Sequence, residues 1–243
     1  MVFIGYSSKE RYSVVEPILF HLKHFGLDVW YDFHDMFLGD DRYQINFKQG
    51  IGKSSYVIFI ISPHFFESKC AMDELNYAKR MIENRSTVIF PIFYEMKPSE
   101  LPQKFNWLCN IIYNEVDSSS GTKHVAYQII ERIFQDELQQ YPYKELSTFS
   151  KEHIFSDRYI DRVIESWAAV DERNFGVRIG ILYSLYLYFP CVETKYSKAI
   201  NYIFLLLQMN ENINHLIYSI FEKSILAYCI QQLKCCQLEQ FSH

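Results

Sequence analysis

Metal-ligand spacing is missing from this chain. Its 243 residues hold six cysteines, at 70, 109, 191, 229, 235 and 236, with no C-x-x-C pair among them. That excludes a zinc site built on such pairs, and in a chain of this length it argues against a disulfide framework. The eight histidines are scattered without ligand spacing, so no metal site is expected. Basic excess is missing too. The formal net charge is −5, with 14 Lys and Arg against 18 Asp and Glu over residues 1–142 and 10 against 11 beyond. Neither part suits a phosphate backbone, so no nucleic-acid partner is expected, although a nucleotide held by a few placed groups is compatible. Long apolar runs are absent as well. The most apolar late stretch, Val177 to Phe189, contains Arg178 and falls short of the roughly 20 residues that span a bilayer. No membrane span is expected, no signal-peptide pattern opens the chain, and the cysteine usage reads as a reducing cytoplasm.

Apolar and aromatic residues are plentiful: 49% of the chain is hydrophobic, with 19 Tyr and 20 Phe. That is enough for a core in one or two domains. Val2 to Tyr6 reads as a strand, followed by a helix to about Phe25 with Ser8 or Ser7 as its N-cap and Gly26 as its C-cap. Leu27 to Tyr31 is a second strand closing at Asp32. An irregular acidic loop follows, Phe33 to Asp41, with Gly39 as its flexible point, and then a helix from about Arg42 to Ser54. Tyr56 to Ile61 is a continuous apolar run, the mark of a strand buried on both faces. Thr87 to Phe93 reads as a fourth strand, in which Pro91 lacks a ladder donor and implies an edge or a bulge. Asn110 to Tyr113 is a fifth strand and Lys123 to Gln139 a helix. Strands alternating with helices at this spacing imply a parallel sheet covered on both faces.

The stretch from Ser62 to Arg80, SPHFFESKCAMDELNYAKR, organises the rest. A helix starting near Ser68 places Glu74 one turn in, flanked by Cys70 and Asp73, at the carboxyl edge of the sheet where open α/β folds bind ligands. An ordinary first-turn glutamate favoured by the helix dipole would look the same. Gly50-Ile-Gly-Lys-Ser54 imitates the tail of a phosphate-binding loop, but position 47 is Phe47 and a helix precedes a strand there, so no ATPase is read.

VFIGYSSKE, LDVWYD followed by DMFLGD, and SPHFFESKCAMDELNYA, in that order and spacing, resemble the successive boxes of a TIR (Toll/interleukin-1 receptor) domain over about residues 1–140. The resemblance implies a flavodoxin-like, parallel five-stranded sheet. Catalytic members cleave the nicotinamide–ribose bond of NAD+, and their essential carboxylate matches Glu74. Nicotinamide leaves as a neutral molecule and needs no proton donor, so one carboxylate that orients the ribose and offsets charge on the sugar carbon suffices, where ordinary glycosidases need two. NAD+ would then be substrate, with no cofactor. Tyr6, Ser7 and Ser8 fall where the family's first loop meets substrate, or they only cap a helix. Asp32 matches the acidic residue ending the second strand, as a sugar ligand or a loop cap. Phe37 and Tyr43 flank the Gly39 turn as candidates to stack on an aromatic ring or as loop packing. Two positions depart from the pattern. Gly5 stands where serine is common, which is expected to widen the loop, and Cys70 stands where a Trp is common, so an aromatic wall is expected from Phe65 or Phe66. Cys70 at a helix start could have a lowered pKa, but with no His near it in sequence it is not expected to be a nucleophile.

Beyond a linker at 141–150 the pattern is helical only, an all-α domain over 151–243 with helices at Arg158–Val170, Phe175–Phe189, Tyr196–Met209 and Ile213–Leu233. A last helix apolar on most sides must be covered by others, so this part reads as a regulatory or oligomerisation bundle, with Trp167, Tyr183, Tyr186 and Tyr188 as core or interface. The expectation for the whole is a cytoplasmic, bacterial NAD+ glycohydrolase or cyclase, similar to stand-alone TIR proteins of Thoeris-type antiphage defence. It would self-associate through both domains and signal to a downstream effector that senses an ADP-ribose-derived product. The alternative is a non-catalytic TIR adaptor or virulence scaffold acting by TIR–TIR contact.

Overall fold

The computed structural model describes residues 1–41, 43–83, 87–139 and 158–240, without the side chains of residues 43, 83 and 233–240. The 141–150 linker therefore lies outside the described residues. By internal contacts the chain divides into Met1–Lys23 with Leu27–Ala126, and His24–Gly26 with Tyr127–His243.

The first unit is built on a parallel sheet, β1 (Val2–Gly5), β2 (Val29–Trp30), β3 (Tyr56–Ile61), β4 (Val88–Tyr94) and β5 (Asn114–Val116), in the order β2-β1-β3-β4-β5. In β3 the side chains from Val57 to Ile61 have no exposure at all. The unbroken apolar run thus serves a central strand, buried on both faces as a parallel sheet requires. Phe3, Val57, Phe59 and Ile61 share one face with Phe47, Ile51, Phe65, Ala71, Leu75 and Ala78. The even-numbered set, Val2, Ile4, Ile58 and Ile60, is buried on the other. Helix α1 (Glu16–His24), entered through a 3-10 turn at Ser8–Glu10 and a π turn at Arg11–Val15, buries Ile18, Leu19 and Leu22. Gly26 ends it at φ +77, a conformation costly for any residue with a Cβ.

Several expected boundaries shift. Ser7 occupies the N-cap position without a side-chain cap bond. Asp32–Asp35 forms a short helix, α2, inside the expected acidic loop. The helix expected from Arg42 to Ser54 is a wide-turned π-helix, Tyr43–Gly50, followed by a 3-10 turn, Ile51–Lys53, leading into β3. The glycine-rich decoy thus leads into a strand and not a helix, unlike a phosphate-binding loop. Ser62 ends β3 but also caps a short helix, α3 (Pro63–Glu67), by accepting from Phe65 N–H at 3.1 Å. Ser68 then caps α4 (Lys69–Glu83), accepting from Ala71 N–H at 3.3 Å. Pro91 sits in β4 opposite Phe59, whereas β5 pairs only with Ile92–Tyr94, so the proline lies where β4 has a neighbour on one side alone. The fifth strand is Asn114–Val116 and not Asn110–Tyr113, because a 3-10 segment runs through Gln103–Asn110.

The second unit is helical: most of α5 (Lys123–Leu138), then α6 (Arg158–Ala168), α7 (Phe175–Tyr188), α8 (Lys195–Gln208) and α9 (His215–Gln240). Asn174 and Thr194 cap α7 and α8 through bonds from Val177 N–H and Ser197 N–H. Arg178 is buried, yet its guanidinium is well supplied. It donates to Tyr218 Oη at 3.0 Å and to the carbonyls of Trp167 and Val170 at the end of α6, and it stacks 4.4 Å from the Trp167 ring. The dipole of a helix C-terminus and an aromatic face stand in for a carboxylate. Glu131 meets Lys223 at 2.8 Å, and Glu137 pairs with Lys195 and accepts from Tyr196, which ties α5 to α9 and α8. Trp167 and Tyr186 are core, whereas Tyr188 is exposed and stacks on Tyr159. Among the described residues no helix is long and apolar enough to cross a membrane.

Candidate functional site

Glu74 sits in the second turn of α4 and is 4% exposed. Its Oε2 lies 3.3 Å from the point where a Cβ on Gly5 would stand, so the carboxylate lies at the carboxyl end of β1, as expected of a pocket in this kind of sheet. Its Oε1 accepts a 2.6 Å bond from Asn46 Nδ2 and a 3.3 Å bond from the Cys70 thiol. Cys70 and Glu74 are one helical turn apart, the spacing that puts two side chains on one face. The thiol acts here as a donor to the carboxylate. Asn46 in turn accepts from Trp30 Nε1 at 3.2 Å.

A second group surrounds the end of β2. Tyr6 donates to Asp32 Oδ1 at 2.7 Å and receives Arg11 Nε at 3.3 Å, and its ring stacks on Tyr31 at 6.0 Å. Tyr31, fully buried, donates to Glu16 at 2.6 Å, and its N–H is held by Asp35. Burial first, then the bonds to Asp32 and Glu16, push both phenols well above the usual tyrosine range. Arg11 lies 4.3 Å over the Phe33 ring.

The sequence-expected residues therefore fall into two sets. Glu74 and Cys70 meet directly, and so do Tyr6 and Asp32. The strand β2 serves both, since Trp30 reaches toward Glu74 through Asn46 while Asp32, two residues on, holds Tyr6. Ser7 is buried and its carbonyl accepts from Glu10 N–H, while Ser8 is exposed. Phe37 is exposed in the Phe37–Asp40 turn, and the side chain of Tyr43 lies outside those described. Lys9 joins the first loop to α3 by bonds to His64 and Glu67 at 3.0 and 3.2 Å.

Two expectations are corrected. Gly5 does not widen the loop: a Cβ there would stand 2.4 Å from the Phe59 ring, which fills the space a serine would take. Phe65 is no open wall, because it is fully buried edge-on to Phe59, and Phe66 packs against Phe105. Sequence reasoning missed Asn46 and Trp30. Asn46 shares a buried stripe with Phe47, Gly50 and Ile51, and a polar residue on such a stripe must find a buried partner. An open cleft of about 490 Å³ at the ends of β4 and β5 is lined by Glu95, Glu100, Glu115 and Asp117. Its charge opposes a diphosphate.

Residues 2–119 match the family described as TIR domain. Among similar proteins, the NAD(+) hydrolase TcpC of Escherichia coli O6:H1 is 25% identical over 53% of this chain and 42% of its own length. The 2' cyclic ADP-D-ribose synthase BtTIR of Bacteroides thetaiotaomicron is 31% identical over 41% and 34%, and the NAD(+) hydrolase TcpA of a Theionarchaea archaeon 30% over 53% and 38%. The matched region thus spans well under half the length of each of these relatives. Residues 2–119 are a TIR domain, related to bacterial and archaeal proteins of that family.

Proposed function

We propose that this TIR domain cleaves the nicotinamide–ribose bond of NAD+, with Glu74 as the carboxylate that acts on the ribose. The observation that carries this reading is a carboxylate only 4% exposed at the carboxyl end of β1, held by a 2.6 Å bond from a buried amide, in a domain whose relatives include proteins named for NAD+ hydrolysis and cyclisation. In the reaction the bond between the sugar carbon and the nicotinamide nitrogen breaks with its electron pair going to nitrogen, so nicotinamide leaves neutral. A nucleophile then adds to the sugar carbon and gives up its proton. Glu74 orients the ribose and offsets the positive charge that develops on the sugar ring, a preorganised electrostatic role. Water as nucleophile gives ADP-ribose, the adenine of the same molecule gives a cyclic product, and another acceptor gives a conjugate. Asp32, held by Tyr6, is the second carboxylate proposed to contact substrate, with the loop at Ser7 and Ser8 beside it, and Phe37 is the aromatic proposed to stack.

The wider reading follows the same line. The product serves as a signal to a downstream effector in bacterial antiphage defence, and the protein self-associates, for which the exposed Phe37 and Leu38 in the TIR domain and Leu187 and Tyr188 in the helical unit offer apolar surface. Purified full-length chain is incubated with NAD+ and nicotinamide release is followed by chromatography, at high protein concentration and with infected-cell extract as a trigger. Glu74→Gln should lose at least about 100-fold. Equal release by wild type and variant under every condition sinks the enzymatic reading and leaves a TIR scaffold.

A further inference from the structure

Asn46 is 1% exposed in the π-helix Tyr43–Gly50, and the two ends of its side chain do different things. Its Nδ2 donates to Glu74 Oε1 at 2.6 Å, and its Oδ1 accepts from Trp30 Nε1 at 3.2 Å. An indole N–H is a donor only. It can face only the carbonyl end of the amide, so it settles which way the amide lies and turns the NH₂ end to the carboxylate. One helical turn on, Gly50 makes room for the indole, since a Cβ there would stand 2.8 Å from Trp30 Nε1.

Asn46 and Trp30 are uncharged, as are Gly5 from β1 and Phe59 from β3, and from one turn back on its own helix the Cys70 thiol donates to the same oxygen at 3.3 Å, a longer and weaker bond than that from Asn46. Burial alone disfavours an ionised carboxylate, while a short bond from a fixed N–H favours it. We propose that Asn46, locked by Trp30, is the positioning residue for Glu74: it keeps the carboxylate ionised and fixes its orientation toward the ribose. The inference rests on the reading of Glu74 as the NAD+-cleaving group.

The test uses the full-length chain with two readouts, the pH dependence of nicotinamide release and the titration of the Glu74 carboxyl carbon by ¹³C NMR, assigned with Glu74→Gln. Asn46→Leu should move the acid limb of the rate profile and the Glu74 titration upward together by about one to two pH units, the value of one lost bond to a charged group. At neutral pH it should lower kcat more than it changes KM. Trp30→Phe, which leaves Asn46 in place and removes only the indole N–H, should shift both in the same direction by less. A folded Asn46→Leu protein whose Glu74 titration or acid limb stays in place overturns the inference. If that variant does not fold, an unmoved titration in Trp30→Phe overturns it instead. Failure of the underlying reading looks different: Glu74→Gln then releases nicotinamide like wild type, while the Glu74 titration still reports whether Asn46 holds the charge.

Discussion

Replacing Gly5 by alanine tests the packing behind the candidate site. The new Cβ would stand 2.4 and 2.6 Å from two carbons of the Phe59 ring and 3.3 Å from Glu74 Oε2. Carbon atoms rest at about 3.5–4.0 Å, so the ring must retreat by about 1 Å. It has no open space to enter, being fully buried in the central strand and packed edge-on to Phe65 at 5.9 Å. Overpacking of this kind costs about 1–3 kcal/mol. Hydrogen exchange of β1 and β3 peptides across a urea series reads that cost in the first unit alone, apart from the helical part. Phe59→Leu makes room at the same point, so the double variant should be more stable than the two single losses predict, with a coupling of about 1 kcal/mol or more. A Gly5→Ala cost below about 0.5 kcal/mol, additive with Phe59→Leu, would refute the contact and restore the view of Gly5 as a loop-widening residue.

Asp32→Asn should weaken turnover while leaving Glu74 in place, so the KM for NAD+ should rise more than kcat falls, as steady-state kinetics would show. Tyr6 and Tyr31 have folded pKa values raised above the unfolded value of about 10, so the stability they lend is complete below that pH and is lost as pH rises beyond it. Absorbance titration of wild type against Tyr6→Phe and Tyr31→Phe should assign both phenols to the ionisation that accompanies unfolding, and early ionisation of both would contradict the burial. In the helical unit, Arg178→Met strips donors from Tyr218 and from the carbonyls of Trp167 and Val170, a loss of about 2–4 kcal/mol. Lysine should not restore it, since a point charge lacks the fork; thermal melting decides. Burial pushes the Cys229 thiol up to about 12, so native-state alkylation should label the exposed Cys109 and Cys191 and spare Cys229 until the helices unfold.

The parts of the fold that follow from local pattern were legible. The apolar run at Tyr56–Ile61 can only be a strand covered on both faces, and Ser68 with the amphipathic turns after it places Glu74 at a helix start. The boundaries that shifted are those decided at long range. Asn110–Tyr113 has the β-branched content of a strand, but pairing with β4 falls on Asn114–Val116, where register and not propensity decides. The stretch at Arg42 to Ser54 has helical character, yet it folds as a widened π-helix that brings Asn46 to Glu74 and sets Gly50 against an indole.

That difference explains why the place of Glu74 was legible in sequence and its support was not. The strand, the cap and the first turns of one helix are a local signature that places Glu74, and the resemblance to the TIR boxes is what singled it out for a catalytic role. Its partner Asn46 lies 28 residues away, and Trp30 another 16 before that, so no window of sequence holds them together. What the sequence does carry is a mismatch: an amide on a stripe otherwise made of Phe47, Gly50 and Ile51. Burying that amide without a partner would cost about 1–3 kcal/mol, so its position already implied a polar group opposite. Glu74, 4% exposed in α4, is the acceptor that meets it. The two anomalies, a buried acid and a buried amide, answer each other.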